Sequence, residues 1–243
     1  MKKALVIGGS NGIGLAIAQC LYEKEYHVTV IDKVIPDTQA NEKIDFVQFD
    51  LTNSDYSVFD QYTDVNLLMI TAGFGSLELF ENIDEQLISD YFQVNTIAPI
   101  RIVKHFYHCL LGSSDFQCGI MVSIAGFMSS PFFSVYGATK AALKIFIESV
   151  NVELEKAGSK NRILNISPGS IQGTQFNGNS KNDLSSTRPL AQEILSHLQN
   201  KDDLFIPRYD EVFREVLERY HRDFRAEGRH SYEYKILSGR IKK

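Results

Sequence analysis

The sequence predicts a doubly wound α/β fold, a mostly parallel sheet of about seven strands with helices on both faces. Three observations carry that expectation. Seven short apolar runs are spread along the chain, longer stretches of helical periodicity fall between them, and the first run passes through the turn Gly8-Gly9-Ser10-Asn11-Gly12-Ile13-Gly14 straight into a helical pattern. Strands alternating with helices pair in parallel, and burial on both faces makes such strands nearly continuous apolar runs.

Ala4–Ile7 is the first expected strand, and Leu15, Ala16, Ala18, Cys20 and Leu21 give the segment after the turn an apolar helical face. His27–Ile31, Ile44–Phe49 and Asn66–Ile70 read as the next three strands. Asp84–Leu111 follows as a long helical pattern, interrupted near Pro99. Gly119–Ser123 is the fifth strand, Val135–Lys156 the second long helix, and Arg162–Ile166 and Asp203–Ile206 the last two strands. Gly173–Ser186 is rich in Gly, Asn, Ser and Asp, so a substrate lid is expected within residues 173–206. Beyond Arg208, DEVFREVLERYHRDF places Val212, Val216, Leu217 and Tyr220 on one side of a helix covering the domain or another subunit. The final GRHSYEYKILSGRIKK reads as a solvated or subunit-packing tail, and all 243 residues are expected to form one domain.

The hydrophobic fraction of 44% suits a globular chain, and the net charge of −5 argues against nucleic acid or an anionic membrane surface as the main partner. No run approaches the length of a membrane span and no export signal is expected. Cys20, Cys109 and Cys118 are widely spaced without a metal-ligand pattern, which points to the cytoplasm and to no metal.

A glycine turn between strand and helix lets a bulky anion approach the backbone, where the free N–H groups of the helix face it. A phosphate or pyrophosphate is the expected guest. Asp32 closes the second strand eighteen residues after Gly14, near the spacing at which an acidic side chain accepts hydrogen bonds from an adenosine ribose. A carboxylate there repels a 2′-phosphate, and no Arg or Lys lies in the turn, so NAD is expected with NADP as the alternative.

The spacing Gly8-x-x-x-Gly12-x-Gly14 resembles the short-chain dehydrogenase/reductase family. Further landmarks follow in order: Asp50-Leu51, Ala72-Gly73 in ITAG, Asn95 in VNTIAP, Ser123 in MVSIAG, Tyr136 and Lys140 in YGATK, and Pro168-Gly169 in SPGSIQGT. The match runs from about residue 3 to about residue 175 and implies a Rossmann-type fold. Three departures stand out. Ile7 occupies a position often Thr in the family, Thr71 a position usually Asn, and the interval from Gly169 to Thr174 is one residue longer than the pattern.

The resemblance implies that Gly8, Ser10, Asn11, Gly12, Ile13 and Gly14 cradle the pyrophosphate, that Asp50 and Leu51 hold the adenine side, and that Ala72 and Gly73 pass beneath the adenosine ribose. Pro168, Gly169 and Ile171 would lie along the nicotinamide. Tyr136 and Lys140 are four apart on a helix and share a face, so the lysine charge and an oxidised nicotinamide are together expected to lower the phenol pKa from about 10 and make Tyr136 a general acid and base. Both also belong to the implied cofactor site. Ser123 would polarise the substrate carbonyl, and Asn95 would keep a water on Lys140. Alcohol–carbonyl interconversion by hydride transfer is the implied activity, on a small-molecule substrate and in a homodimer or homotetramer.

Phe127, Met128, Pro131, Phe132, Phe133 and Phe176 either line an apolar substrate pocket or pack in the core. Two alternatives accompany the reading: a nucleotide-sugar epimerase or dehydratase, disfavoured by the short remainder after Thr174 and the glycine spacing, and a non-catalytic NAD-binding regulator, disfavoured by the intact Asn95, Ser123, Tyr136 and Lys140.

Overall fold

The computed structural model describes residues 1–35, 44–171, 174, 183–239 and 241. The chain begins with β1 (Lys3–Ile7), α1 (Gly12–Glu23), β2 (His27–Asp32), β3 (Ile44–Gln48) and β4 (Leu67–Ile70). It continues through α2 (Glu85–Phe92), α3 (Ala98–His105), α4 (Tyr107–Leu111), β5 (Gln117–Met121), α5 (Ser134–Lys156) and β6 (Ile163–Ile166). The last described elements are α6 (Leu184–Asn200), β7 (Leu204–Phe205), α7 (Arg214–Arg222) and α8 (Phe224–Leu237).

Among the described residues the seven strands form one sheet in the order β3-β2-β1-β4-β5-β6-β7, every pairing parallel. Alternate residues of each strand serve opposite faces. Leu5, Ile7, Leu68, Ile70 and Ile120 pack against Ile102 of α3, Phe106 just after it, and Leu143 and Ile147 of α5. Ala4, Val6, Val28, Met69 and Ile166 pack against Ile17, Leu21, Ile194 and Leu198 of α1 and α6. Strand order reverses between β1 and β4, which opens a crevice at their carboxyl ends where such sheets bind ligands.

The expected long helix over Asp84–Leu111 is broken earlier than the sequence suggests. A π-helical turn, Gln93–Ile97, separates α2 from α3, with the Ala98 N–H reaching back to Gln93 O. Pro99 sits in the first turn of α3 and has no N–H to continue the regular ladder, so the register shifts ahead of it. The fifth strand also ends sooner than expected. Ser123 lies past β5 and opens the 3₁₀ turn Ile124–Gly126, with its hydroxyl accepting the Ala125 N–H at 3.1 Å. The expected C-terminal tail is helix α8, started by Asp223, whose carboxylate caps the Arg225 and Ala226 N–H groups at 3.0 Å each. Most of the expected lid loop, with Phe176, lies outside the described residues. No described helix is long and apolar enough to cross a membrane.

Candidate active site

Gly8 has φ 85°, and a Cβ there would lie 2.4 Å from Ala72 N, so the turn after β1 closes directly on the segment after β4. Gly14 allows an equally close approach, since its Cβ would meet Gly8 O at 2.3 Å and Thr71 Oγ1 at 2.5 Å. Gly12 differs. Its φ is 53°, yet a Cβ would find nothing nearer than Thr174 Cγ2 at 3.7 Å. Gly8 and Gly14 thus serve packing, whereas at Gly12, buried at the N-terminus of α1, a Cβ would make only ordinary contact with Thr174. That terminus has no side-chain cap and no acidic residue in its first turn, which suits an anion.

Thr71, at the position usually Asn in the family, is set against Ile7 O at 3.0 Å and Gly8 O at 2.9 Å through its hydroxyl. It joins β4 to the glycine turn. The Ser10 N–H donates to Asp32 Oδ2 at 3.0 Å and the Ser10 hydroxyl to Val34 O at 2.5 Å, which fastens the turn to the end of β2. Asp50 is turned on its own loop, accepting the Thr52 N–H and hydroxyl at 2.9 Å, and the Thr52 backbone bond foremost holds its carboxyl below the usual range.

One cavity of about 990 Å³ gathers most of the sequence-derived residues. Gly8, Asn11, Gly12, Ile13, Gly14 and Asp32 line it at the ends of β1 and β2, and Asp50, Leu51, Ala72 and Gly73 at the ends of β3 and β4. Ser123, Tyr136, Lys140, Pro168, Gly169, Ile171 and Thr174 complete this side. Ser10 and Asn95 are outside the lining. Asn95 is fully buried, its side chain bonded to the backbone of Phe74 and to Thr139 Oγ1.

Ser123 and the Tyr136 phenol line the cavity together, and Ser123 favours the ionised phenol. Tyr136 is 8% exposed, and burial pushes its pKa up to about 12 against the smaller opposing pull of Ser123. Lys140 is 2% exposed, donates to Met121 O at 2.9 Å, and is pushed down to about 7 by burial. Its ammonium nitrogen lies 5.8 Å from the centre of the Tyr136 ring. Burial thus outweighs any lowering of the Tyr136 pKa by Lys140 alone, because desolvation disfavours the charged form of both groups.

The aromatic residues after Ser123 divide between the two expected roles. Met128 and Phe133 line the cavity, whereas Phe132 is buried against Tyr232 and Phe127 packs beside Ile124, Ile206 and Leu217. Sequence reasoning missed the rest of this wall. Arg219 of α7 and Glu227, His230, Ser231, Tyr234 and Lys235 of α8 all line the same cavity. Their spacing along α8 follows one helical face, and Asp223 ahead of them is an N-cap signal, so the pattern was present in the sequence. The π turn Tyr209–Phe213 brings Phe213 against Gly169, where a Cβ would lie 2.5 Å from Phe213 Cζ.

Comparison with known proteins agrees with this arrangement. A short-chain dehydrogenase of Neurospora crassa, srdE, is 30% identical over 229 residues, covering 86% of this chain and 75% of that one. The uncharacterized oxidoreductase TDA5 of Saccharomyces cerevisiae is 26% identical over 186 residues, covering 72% of this chain and 56% of that one. Two solved structures superpose with a TM-score of 0.77: a short chain dehydrogenase of Burkholderia cenocepacia in complex with NADP (20% identity, 95% and 99% of the two chains) and one of Burkholderia phymatum in complex with NAD (17%, 93% and 95%). These likenesses are those of a Rossmann-type fold. The family model for short chain dehydrogenases matches residues 2–185, a span that holds the glycine turn, Ser123, Tyr136 and Lys140, and the chain belongs to that family of oxidoreductases.

Proposed function

We propose that the protein is an NAD(P)(H)-dependent oxidoreductase that interconverts an alcohol and a carbonyl, with Tyr136 as general acid and base. One observation carries the reading: Ser123 and Tyr136 line the same cavity as the Asp32 carboxylate and the N-terminus of α1, whose first turn holds no acidic residue. The N-terminus of α1 at Gly12 would take the pyrophosphate, with Gly8, Ser10, Asn11, Ile13 and Gly14 shaping the turn around it. Asp32, held by the Ser10 N–H, fits a ribose hydroxyl pair and favours NAD, while Lys33 on the same lining keeps NADP as the alternative. Asp50 and Leu51 would bound the adenine, Ala72 and Gly73 the adenosine ribose, and Pro168, Gly169 and Ile171 the nicotinamide.

When bound, the nicotinamide supplies or accepts the hydride. Ser123 donates a hydrogen bond to the substrate oxygen and polarises the carbonyl. Tyr136 keeps its proton at neutral pH and gives it to that oxygen on reduction, and the reverse transfer accompanies oxidation. Lys140 lies within reach to pass the proton onward, and Asn95 acts by bracing the segment of Gly73 and Phe74 rather than from the cavity wall. The assembly is a homodimer or homotetramer in this reading, supported by Ile97, Ile145 and Val152 standing exposed on the α3 and α5 side. Three unpaired cysteines support a cytoplasmic site of action.

Titration of NADH and NADPH by nicotinamide fluorescence, with Asp32→Ala beside the wild type, tests the cofactor assignment, and a panel of ketones and aldehydes with Tyr136→Phe tests the chemistry. NADH preference lost in Asp32→Ala, and turnover lost by roughly 10²–10⁴-fold in Tyr136→Phe, are expected. Binding of neither nucleotide, or undiminished turnover in Tyr136→Phe, overturns the reading.

A further inference from the structure

The turn between Ser123 and Tyr136 is held in a strained conformation by the C-terminal helix. Phe132 is buried and has φ 68°, the left-handed region that bulky aromatic residues avoid. Such strain persists where the surroundings over-determine it. Here the Phe132 ring stacks on Tyr232 of α8 at 4.7 Å, and its carbonyl accepts the Glu78 N–H at 2.9 Å. The two residues before it are gripped by one side chain, with Lys235 Nζ donating to Ser130 Oγ at 2.6 Å and to Pro131 O at 2.7 Å.

Lys235 is 6% exposed and lines the cavity. Its ammonium lies 5.4 Å from the centre of the Phe133 ring, and Phe133 packs on Tyr136 at 5.3 Å. The chain of contacts thus runs from α8 to the proposed acid. A lysine is a costly residue to bury, and an apolar side chain of similar volume would fill the space at lower cost. What the lysine adds is directed, charge-assisted bonding to two successive residues of the turn. α8 is itself anchored, because Arg219 of α7 donates to both carboxylate oxygens of Glu227 at 2.8 and 3.3 Å.

We propose that Lys235 is a positioning residue for the carbonyl substrate: it holds Ser130 and Pro131 so that Met128 and Phe133 present a set wall to a substrate whose oxygen lies at Ser123 and Tyr136. The inference rests on the activity proposed above and concerns the substrate end alone, since these contacts run to the turn after Ser123 and not to the glycine turn.

The test uses the full chain with Lys235→Met and Lys235→Arg. The Phe133 and Glu78 amides, bonded to Ser130 O and Phe132 O at 2.9 Å each, exchange hydrogen at least about tenfold faster in Lys235→Met, and Lys235→Arg restores most of the protection. Exchange across β1, β4 and β5 stays as in the wild type. With the best ketone or aldehyde of the panel, KM rises about tenfold in Lys235→Met while kcat stays within about threefold and NADH affinity is unchanged. Unchanged exchange at Phe133 and Glu78 overturns the proposal, and so does NADH affinity that falls in step with the rise in KM, the mark of a general loosening. A wild-type chain that reduces nothing in the panel defeats the activity reading instead, and the exchange comparison then decides separately whether Lys235 holds the turn.

Discussion

The side chain of Asn95 holds both backbone polar groups of Phe74, with Oδ1 accepting the Phe74 N–H at 3.0 Å and Nδ2 donating to Phe74 O at 2.9 Å. Nδ2 also reaches Thr139 Oγ1 at 3.3 Å, so one buried amide ties the segment after β4 to the helix that carries Tyr136 and Lys140. Asn95→Ala leaves the Phe74 groups without these partners, at a cost of about 3 kcal/mol. Urea unfolding measures it. A loss below about 1 kcal/mol would show that water replaces the amide at no penalty.

The burial of Tyr136 beside Ser123 sets a pH dependence. Burial holds the phenol near 12, so the proton needed for carbonyl reduction stays in place through neutral and moderately alkaline pH. Reduction measured as kcat/KM is expected to be flat from about pH 7 to 9, while oxidation, which needs the phenolate, rises about tenfold per pH unit over the same range. A reductive rate that falls steeply above pH 8 would mean that Tyr136 ionises early.

Lys140 gives a separate prediction for stability. Its folded pKa, about 7, lies below its unfolded value, so between about pH 7 and the ordinary lysine range the unfolded chain binds more protons than the folded one. Stability from this group therefore rises with pH across that window, and the penalty of burying a charge is fully present below it. Lys140→Met removes the rise. Urea midpoints of the two proteins at pH 6 and pH 9 check it, and equal pH dependence in both would refute it.

Gly8 and Gly12 separate packing from binding. Gly8→Ala drives a methyl group to within 2.4 Å of the Ala72 backbone at a positive φ, and should destabilise the fold by about 3 kcal/mol or more. Gly12→Ala meets no neighbour closer than 3.7 Å and costs about 1 kcal/mol for its φ alone. Its effect is expected on NADH affinity, weakened about tenfold, because the methyl group occupies the approach to α1. Thermal unfolding and fluorescence titration of the pair distinguish the two roles.

The strands, the order of helices between them, the glycine turn and the i, i+4 pair Tyr136 and Lys140 were legible in the sequence, because each depends on periodicity or backbone chemistry within a few residues. The π turn around Asn95 was only half legible: Pro99 signals a break, but its side of the break follows from the buried bonds to Phe74 and Thr139. Helix α8 carried its own N-cap and polar face, yet its partners Ser130 and Pro131 are about a hundred residues away in sequence. The sign of the Tyr136 shift was beyond reach for the same reason. Spacing shows that Lys140 stands beside Tyr136, whereas the burial that strips both of charge is imposed by elements folded over them from elsewhere in the chain. By itself the sequence determined which residues meet along one strand end or helix face, and only the tertiary structure decided how dry that meeting place is and what holds its far wall, since desolvation and long-range hydrogen bonds exist only once distant segments have packed together.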